Sequence, residues 1–465
     1  MARLCQFRER QQRGPWVAGL AVLIAVAVAS TVQARARQPN AEYAARRAKL
    51  LAQVDGPVVL FGYTGKENTV EFLRFQQEEN FYYLTGHNEE GAAMVLVPPL
   101  SVDKLDPGPH GVRGPSEVLF LPARNVRAEH WNGSRLAAGD AGIAEKTGFR
   151  DVRPFGDLGA LVAELVRAFP KIYTELPGPH DRGYPHAQVW SDWLRKQVPG
   201  VQLEDISGKI AALRQIKSPA EIELLTHAVE VSVDAQLEAM KMMRPGLYEY
   251  QVAARMQFVH ADEGCTEEAY APIVGTGFNS TVLHYETLEE KIRDGDIVVL
   301  DVACAQDGYA ADITRTLPAN GRFSLRQREI YDIVLGAQNA ALAAIKPGMT
   351  LTGGGPSSIY RIAYDYINTH GKDRDGRALG KYFIHGLSHH VGLNVHDAGD
   401  TGRPLEPGMV VTVEPGIYIP EENLGVRIED VVLVTESGAK LLSARLPRNP
   451  DEVETVMAQG RATRK

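Results

Sequence analysis

The run Ile297-Val-Val-Leu-Asp301-Val-Ala-Cys-Ala-Gln-Asp307-Gly308-Tyr-Ala-Ala-Asp312-Ile-Thr-Arg-Thr316 carries one carboxylate on each side of an Asp-Gly turn. Glycine accepts the positive φ that a tight hairpin turn requires, and the apolar runs on both sides mark its two strands. With Asp307-Gly308 as the loop, Gln306 faces Tyr309 and the numbers of cross-strand partners add to 615, so Asp301 lies opposite Thr314. Asp312 is two residues from Thr314 and points to the same face, because side chains alternate along a strand. A slip of one residue would send the two acids to opposite faces. Two carboxylates sharing a buried face repel each other unless a cation lies between them, which makes the hairpin a candidate metal site. Taken alone, the hairpin equally admits two solvated aspartates on an edge.

Downstream lie His385-Gly-Leu-Ser-His389-His-Val-Gly-Leu-Asn-Val-His396, then Val411-Thr-Val-Glu414-Pro-Gly, then Val426-Arg-Ile-Glu429-Asp. Both glutamates fall in β-branched, apolar runs, where an unpaired charge is costly. A lone His389 is more often structural than a ligand. Asp301, Asp312, His389, Glu414 and Glu429 taken together are hard oxygen donors with one borderline nitrogen. Such a set suits two close divalent cations sharing bridging carboxylates and a water, with Mn2+ the first expectation and Zn2+, Co2+ or Fe2+ admissible.

The hairpin also has an echo. Gly295-Asp-Ile-Val-Val-Leu-Asp301 and Gly408-Met-Val-Val-Thr-Val-Glu414 each place an acid six residues after a glycine. Upstream of each runs a helical stretch ending in Pro-Gly, at Arg244-Pro-Gly246 and Lys346-Pro-Gly348. Both helices open on a capping-box pattern, Ser218-Pro-Ala-Glu221 and Ser324-Leu-Arg-Gln327. A duplicated α+β unit follows, with a pseudo-twofold axis that brings the acid strands together.

Outward from this region the chain changes character. Residues 1–14 carry Arg3, Arg8, Arg10 and Arg13 against Glu9, Trp16 to Val32 is almost wholly apolar, and Ala34-Arg-Ala36 follows. That order reads as a signal peptide over 1–36 and predicts export to the periplasm or the medium, with no membrane attachment after cleavage. Without that segment 45 basic residues stand against 57 acidic ones, a net charge of about −12, which argues against nucleic acid as a partner. Cys265 and Cys304 would remain, and both are expected as buried free thiols. Residues 37–50 are expected as a helix with Arg46, Arg47 and Lys49 on its polar face. Strands are expected at 58–61, 93–97 and 118–121, and helices at 158–168 and 186–197. Pro and Gly make 106–115 a loop. The expected order is therefore an α/β domain over 37–205, a short linker at Ile206-Ser-Gly-Lys, a catalytic domain over 206–456 and a tail over 457–465, disordered from Arg461 onward. His110 and His130 are expected as surface residues.

From about Ile210 to Val456 the chain resembles the pita-bread metallopeptidases, the family of methionine aminopeptidase, prolidase and aminopeptidase P. Gly308-Tyr-Ala-Ala-Asp-Ile-Thr-Arg-Thr-Leu-Pro, His385-Gly-Leu-Ser-His389, Ile273-Val-Gly-Thr-Gly-Phe-Asn279 and Leu283-His284-Tyr285 are especially similar to aminopeptidase P. Phe75-Gln-Gln-Glu-Glu-Asn-Phe81-Tyr-Tyr-Leu-Thr-Gly86 resembles its amino-terminal domain, with Gln76 and Glu79-Asn80 where that group commonly has Arg and Ser-Asp. The resemblance implies an α/β amino-terminal domain followed by a duplicated pita-bread catalytic domain. It maps the metal ligands onto Asp301, Asp312, His389, Glu414 and Glu429. Glu414 is expected to shuttle the proton to the departing nitrogen, and His284 and His396 to stabilise the oxyanion or hold the residue after the cut. Arg427 would orient Glu429 or neutralise charge, and His385 would support the ligands from outside. The implied activity is removal of the first residue from peptides with proline second, in a chain that could self-associate into a homo-oligomer. An Xaa-Pro dipeptidase with the same metals is the alternative, and a non-catalytic peptide- or partner-binding protein a third reading.

Overall fold

The computed structural model describes residues 37–67, 75–98, 117–178 and 185–462. The expected signal segment, the loop at 106–115 with His110, and the last three residues lie outside these. Among the described residues no helix is long and apolar enough to cross a membrane.

Helix α1 (Asn40–Leu51) leads into β1 (Val58–Phe61), α2 (Glu79–Thr85), β2 (Ala93–Leu96) and β3 (Glu117–Leu121). There follow α3 (Val126–Asn132), α4 (Ile143–Thr147), β4 (Asp151–Pro154), α5 (Leu158–Ala168), β5 (Lys171–Thr174), α6 (His186–Gln197) and β6 (Gln202–Asp205). The six strands form one mixed sheet in the order β4-β3-β2-β1-β5-β6. Its central strands are apolar throughout because both faces are covered. Val59 and Phe61 pack with α5, while Val58 and Leu60 pack with Leu50, Phe81 and Ile210 on the other side. The period of two in the strand thus sorts its residues between two cores.

Two expectations for this half fail. Arg46 and Arg47 are buried rather than facing water. The Arg47 guanidinium donates to Glu117 and to Leu84 O and stacks over Phe149, and Arg46 donates to Gln38 and to Tyr83 O. Buried guanidinium groups persist when partners surround them, and here those partners come from distant segments, with the Arg46 Nε left unpaired. Nor is the stretch after Ile206 a linker: Ser207–Gln215 is helix α7, and Ile206 and Ile210 join the sheet's core.

Beyond it the duplicated pattern unfolds as two matched halves. The first has α8 (Pro219–Met242), α9 (Glu249–Asp262), β7 (Glu267–Glu268), β8 (Ile273–Thr276), β9 (Ile297–Asp301), β10 (Cys304–Gln306), β11 (Tyr309–Ala310) and β12 (Thr314–Pro318). The second has α10 (Leu325–Ala344), α11 (Ile359–His370), β13 (Val410–Val413), β14 (Gly416–Ile419), β15 (Leu424–Arg427), β16 (Asp430–Thr435) and β17 (Gly438–Leu441), with α12 (Pro450–Ala462) closing the chain. Both capping boxes form, at Ser218 with Glu221 and at Ser324 with Gln327. The helices end on Met243 and Ile345 in extended conformation, and Gly246 and Gly348, after the two prolines, adopt φ of 94° and 91°, the left-handed region that the following turns require. The hairpin register is the expected one: Gln306 pairs with Tyr309, and Asp301 with Thr314.

The long helices share one more feature. Gln236 on α8 donates its side-chain amide to Leu300 O and Ile313 O, and Gln338 on α10 donates to Val413 O and Ile428 O. Each of these carbonyls lies one residue before Asp301, Glu414 or Glu429, or one after Asp312. A buried amide in each half therefore ties together the two strands that present its acids.

Two expectations fail here as well. Cys265 and Cys304 are joined in a disulfide, with Cα atoms 6.1 Å apart, which links the end of α9 to the hairpin. The 457–465 tail begins inside α12, where Met457 is buried and Arg461 donates to Asn320 O.

Candidate metal centre

Asp301 ends β9 and Asp312 precedes β12, whereas Glu414 follows β13 and Glu429 precedes β16, so all four acids sit where ladder pairing stops and a side chain can turn inward. His389 stands in an irregular stretch whose backbone is pinned to the β13 edge. Thr412 N donates to His389 O, Glu414 N to Leu387 O, and His389 N to the Thr412 hydroxyl. Asp312, His389 and Glu429 each offer a ligand atom within 4.8 Å of the others. His389 Nε2 is 3.3 Å from Asp312 Oδ2 and 3.4 Å from Glu414 Oε1, which brings the fourth acid in beside them. Asp301 completes the group, close enough to feel the charge of Asp312 and for Glu429 to feel its own.

The electrostatics are those of an array built for cations. Burial pushes the Glu429 carboxyl well above the ordinary range, and Asp312, Glu414 and Asp301 push it further. Burial also raises Asp301, against the pull of Arg427. Glu414 goes up to about 7 through burial, with His389 opposing and Asp312 adding to the shift. His389 is moved the other way by its desolvation, yet contact with Asp312 and Glu414 outweighs this and carries it up to about 9. Three buried carboxylates and the half-buried Glu414 converging on one imidazole need positive charge among them, and a donor set of oxygens with one imidazole nitrogen fits divalent metal ions.

The groups outside the acids explain how they hold their orientation. Arg427 Nη2 is 2.7 Å from Asp301 Oδ2, so the guanidinium pairs directly with Asp301 while its charge also draws Glu429 down. It reaches Glu429 indirectly: Arg427 Nε donates to the Thr314 hydroxyl, which donates to Glu429 Oε2 at 2.6 Å. Tyr270 donates its phenol to Asp301 Oδ1 at 2.5 Å. Tyr418 joins His385 Nε2 and Arg427 NH1, and His385 Nδ1 lies 3.7 Å from Glu414 Oε2. His396 packs edge-on against His389, their ring centroids 4.3 Å apart. His284 is exposed in a turn, within electrostatic reach of His385 and His396. His130 is exposed and remote, bonded to Val126 O of its own helix.

Sequence reasoning missed Tyr270, Thr412 and Tyr418, and Thr314 entered only as a register partner. Alternation along the strand could have found Tyr418, two residues past Gly416. Nothing near Tyr270 in the chain points to Asp301. The front half of the chain was missed too. Arg214 on α7 donates to Asn80, Asn394 and Asp397, Lys217 pairs with Asp397 at 3.0 Å, and Asn394 donates to Glu79. The loop bearing His389 and His396 is thereby clamped from outside by α2 and α7.

Comparisons with known proteins agree with this geometry. Residues 223–436 match metallopeptidase family M24, and residues 43–173 match the aminopeptidase P N-terminal domain. The Xaa-Pro aminopeptidase of Escherichia coli strain K12 is 36% identical over 420 residues, covering 83% of this chain and 90% of that protein. An Escherichia coli aminopeptidase P structure, solved in complex with substrate, superposes with a TM-score of 0.78 at 32% identity, covering 92% of this chain and 100% of that one. The Xaa-Pro dipeptidase of Pyrococcus furiosus is 39% identical, over 246 residues that make up 52% of this chain.

Proposed function

The chain belongs to metallopeptidase family M24, in its aminopeptidase P group, and from that membership we propose that it releases the first residue from peptides whose second residue is proline. The observation that carries this reading is the convergence of Asp312, His389 and Glu429 with Glu414 and Asp301 beneath a front domain of aminopeptidase P type. The dipeptidase alternative is weaker because that relative matches over 52% of this chain, against 83% for the Escherichia coli Xaa-Pro aminopeptidase.

Asp301, Asp312, His389, Glu414 and Glu429 would hold two divalent cations, Mn2+ being well suited to so oxygen-rich a set. Bound there, the cations would supply an activated water and polarise the scissile carbonyl. The chain's own groups do the rest. Glu414 would take the proton of the attacking water and pass it to the proline nitrogen, which carries no proton of its own before cleavage. His284 and His396, both exposed at the mouth, donate to the oxygen on which charge develops. Tyr270 and Arg427 orient Asp301 and oppose the rise that burial causes, and the Thr314 hydroxyl orients Glu429. Export through residues 1–36, and a boundary near 205, belong to the same proposal and rest on the sequence pattern.

The test is release of the amino-terminal residue from an Xaa-Pro dipeptide and an Xaa-Pro-Yaa-Yaa peptide, each with Mn2+ and with a chelator. Metal-dependent cleavage of the longer peptide is expected. Cleavage of the dipeptide alone would make the protein a prolidase.

A further inference from the structure

One buried carboxylate takes no part in the metal group, yet it is saturated with donors from a single segment. Glu249, the first residue of α9, is fully buried. Its Oε1 accepts from Thr276 N at 2.8 Å and Asn279 Nδ2 at 3.1 Å. Its Oε2 accepts from the Tyr285 hydroxyl and from Glu290 N, both at 2.9 Å. A carboxylate offers about four lone-pair positions, and here all are filled. The donors at 276, 279, 285 and 290 bracket His284. Adjacent backbone bonds add to the hold, Glu249 N to Glu290 O and Tyr250 N to Leu288 O. The second of these pins a residue in a costly conformation, since Leu288 has φ of 59°. A bulky side chain occupies the left-handed region only where its surroundings over-determine it.

We propose that Glu249 is the positioning residue of His284. It touches no reacting atom; it folds residues 276–290 around one buried charge, and together with the bond from Arg427 to Leu283 O this keeps an exposed imidazole within reach of His385 and His396. The proposal rests on the reading of His284 as a group that acts on the substrate. Misplacing a reacting group by about 1 Å costs on the order of 100-fold in rate, which is the loss expected on breaking this anchor.

The experiment is a double-mutant cycle on cleavage of the Xaa-Pro-Yaa-Yaa peptide with Mn2+, using E249Q, H284A and E249Q/H284A, alongside Mn2+ affinity by chelator competition. Glutamine keeps the shape of Glu249 but turns an N–H2 toward two of the four donors. E249Q and H284A should each lower kcat by roughly 100-fold, with KM and Mn2+ affinity within about twofold of the parent. The double variant should be no worse than H284A, because residues that act through one another are non-additive. Unchanged activity in E249Q beside a damaged H284A, or losses that multiply in the double variant, would overturn the proposal. An unimpaired H284A would instead overturn the role of His284, and the proposal with it. Should E249Q fail to fold, Y285F and N279A, each removing one donor, carry the same cycle with losses of about tenfold.

Discussion

Thr314 shows how much of the centre depends on groups that need hold no metal. Its hydroxyl accepts from Arg427 and donates to Glu429, so that one oxygen links the guanidinium to a buried acid. Replacing Thr314 by Val keeps the shape of the strand and should weaken divalent-cation affinity by about 10- to 100-fold, read by chelator competition. The acids themselves predict a pH dependence. Burial raises Glu414 from its ordinary 4.5 to about 7, so without metal the folded protein binds this proton more tightly than the unfolded chain. The stability it contributes is full below pH 4.5 and is lost as pH rises through 7. Cations compete with that proton and with the one His389 holds up to about 9, so affinity for Mn2+ should climb with pH through 7 and level off only above about 9, which titration calorimetry would follow. The Asp301 and Asp312 positions were legible from the hairpin, because turn chemistry and strand alternation are local. Tyr270 was not, since it meets Asp301 only through the packing of β7 against β10.

Among the elements, α8 and α10 do the same work at the same place in each half. Gln236 and Gln338 bridge the carbonyls beside the acids, and each is fully buried. Gln236→Leu should cost about 1–3 kcal/mol in chemical denaturation, because two buried carbonyls lose a donor. Its Mn2+ affinity should fall as well, since β9 and the stretch before β12 are then tied only by their own ladder. The helix beginnings, the Pro-Gly ends and the six-residue spacing from glycine to acid were all readable, each being a short-range signal. The pairing of the glutamines was not readable. A polar residue on an otherwise apolar helix face does not reveal which carbonyls the opposite strand will present. Arg46 and Arg47 failed for the same reason: their partners at Glu117, Leu84 and Tyr83 are brought in by the sheet.

Across the whole molecule, the front domain and α7 behind it do more than sit beside the metal group. Arg214 and Lys217 grip Asp397 between them, with burial opposing and both cations holding its carboxyl below the usual range. Arg46 reaches Glu221 at 3.5 Å, and Tyr309 of the hairpin donates to the same acid. Arg214→Ala would leave Asp397 with one cation and free the loop of His389 and His396. A loss of about 3–5 kcal/mol in stability is expected, measured by denaturant melts, with a fall in kcat. The disulfide between Cys265 and Cys304, which the expected free thiols did not foresee because Cα proximity is a property of the docked fold, closes a loop of sequence separation 39. Closing a loop of that size contributes about 4 kcal/mol, so reducing agent should lower the denaturation midpoint by a matching amount. That loop has a further consequence. Tyr270, His284 and Asp301 all lie inside it, so a protease that cut the chain anywhere between 265 and 304 would leave both fragments covalently tethered. A nicked molecule would still hold its substrate-facing turn against its metal group, and would come apart only when cutting and reduction acted together.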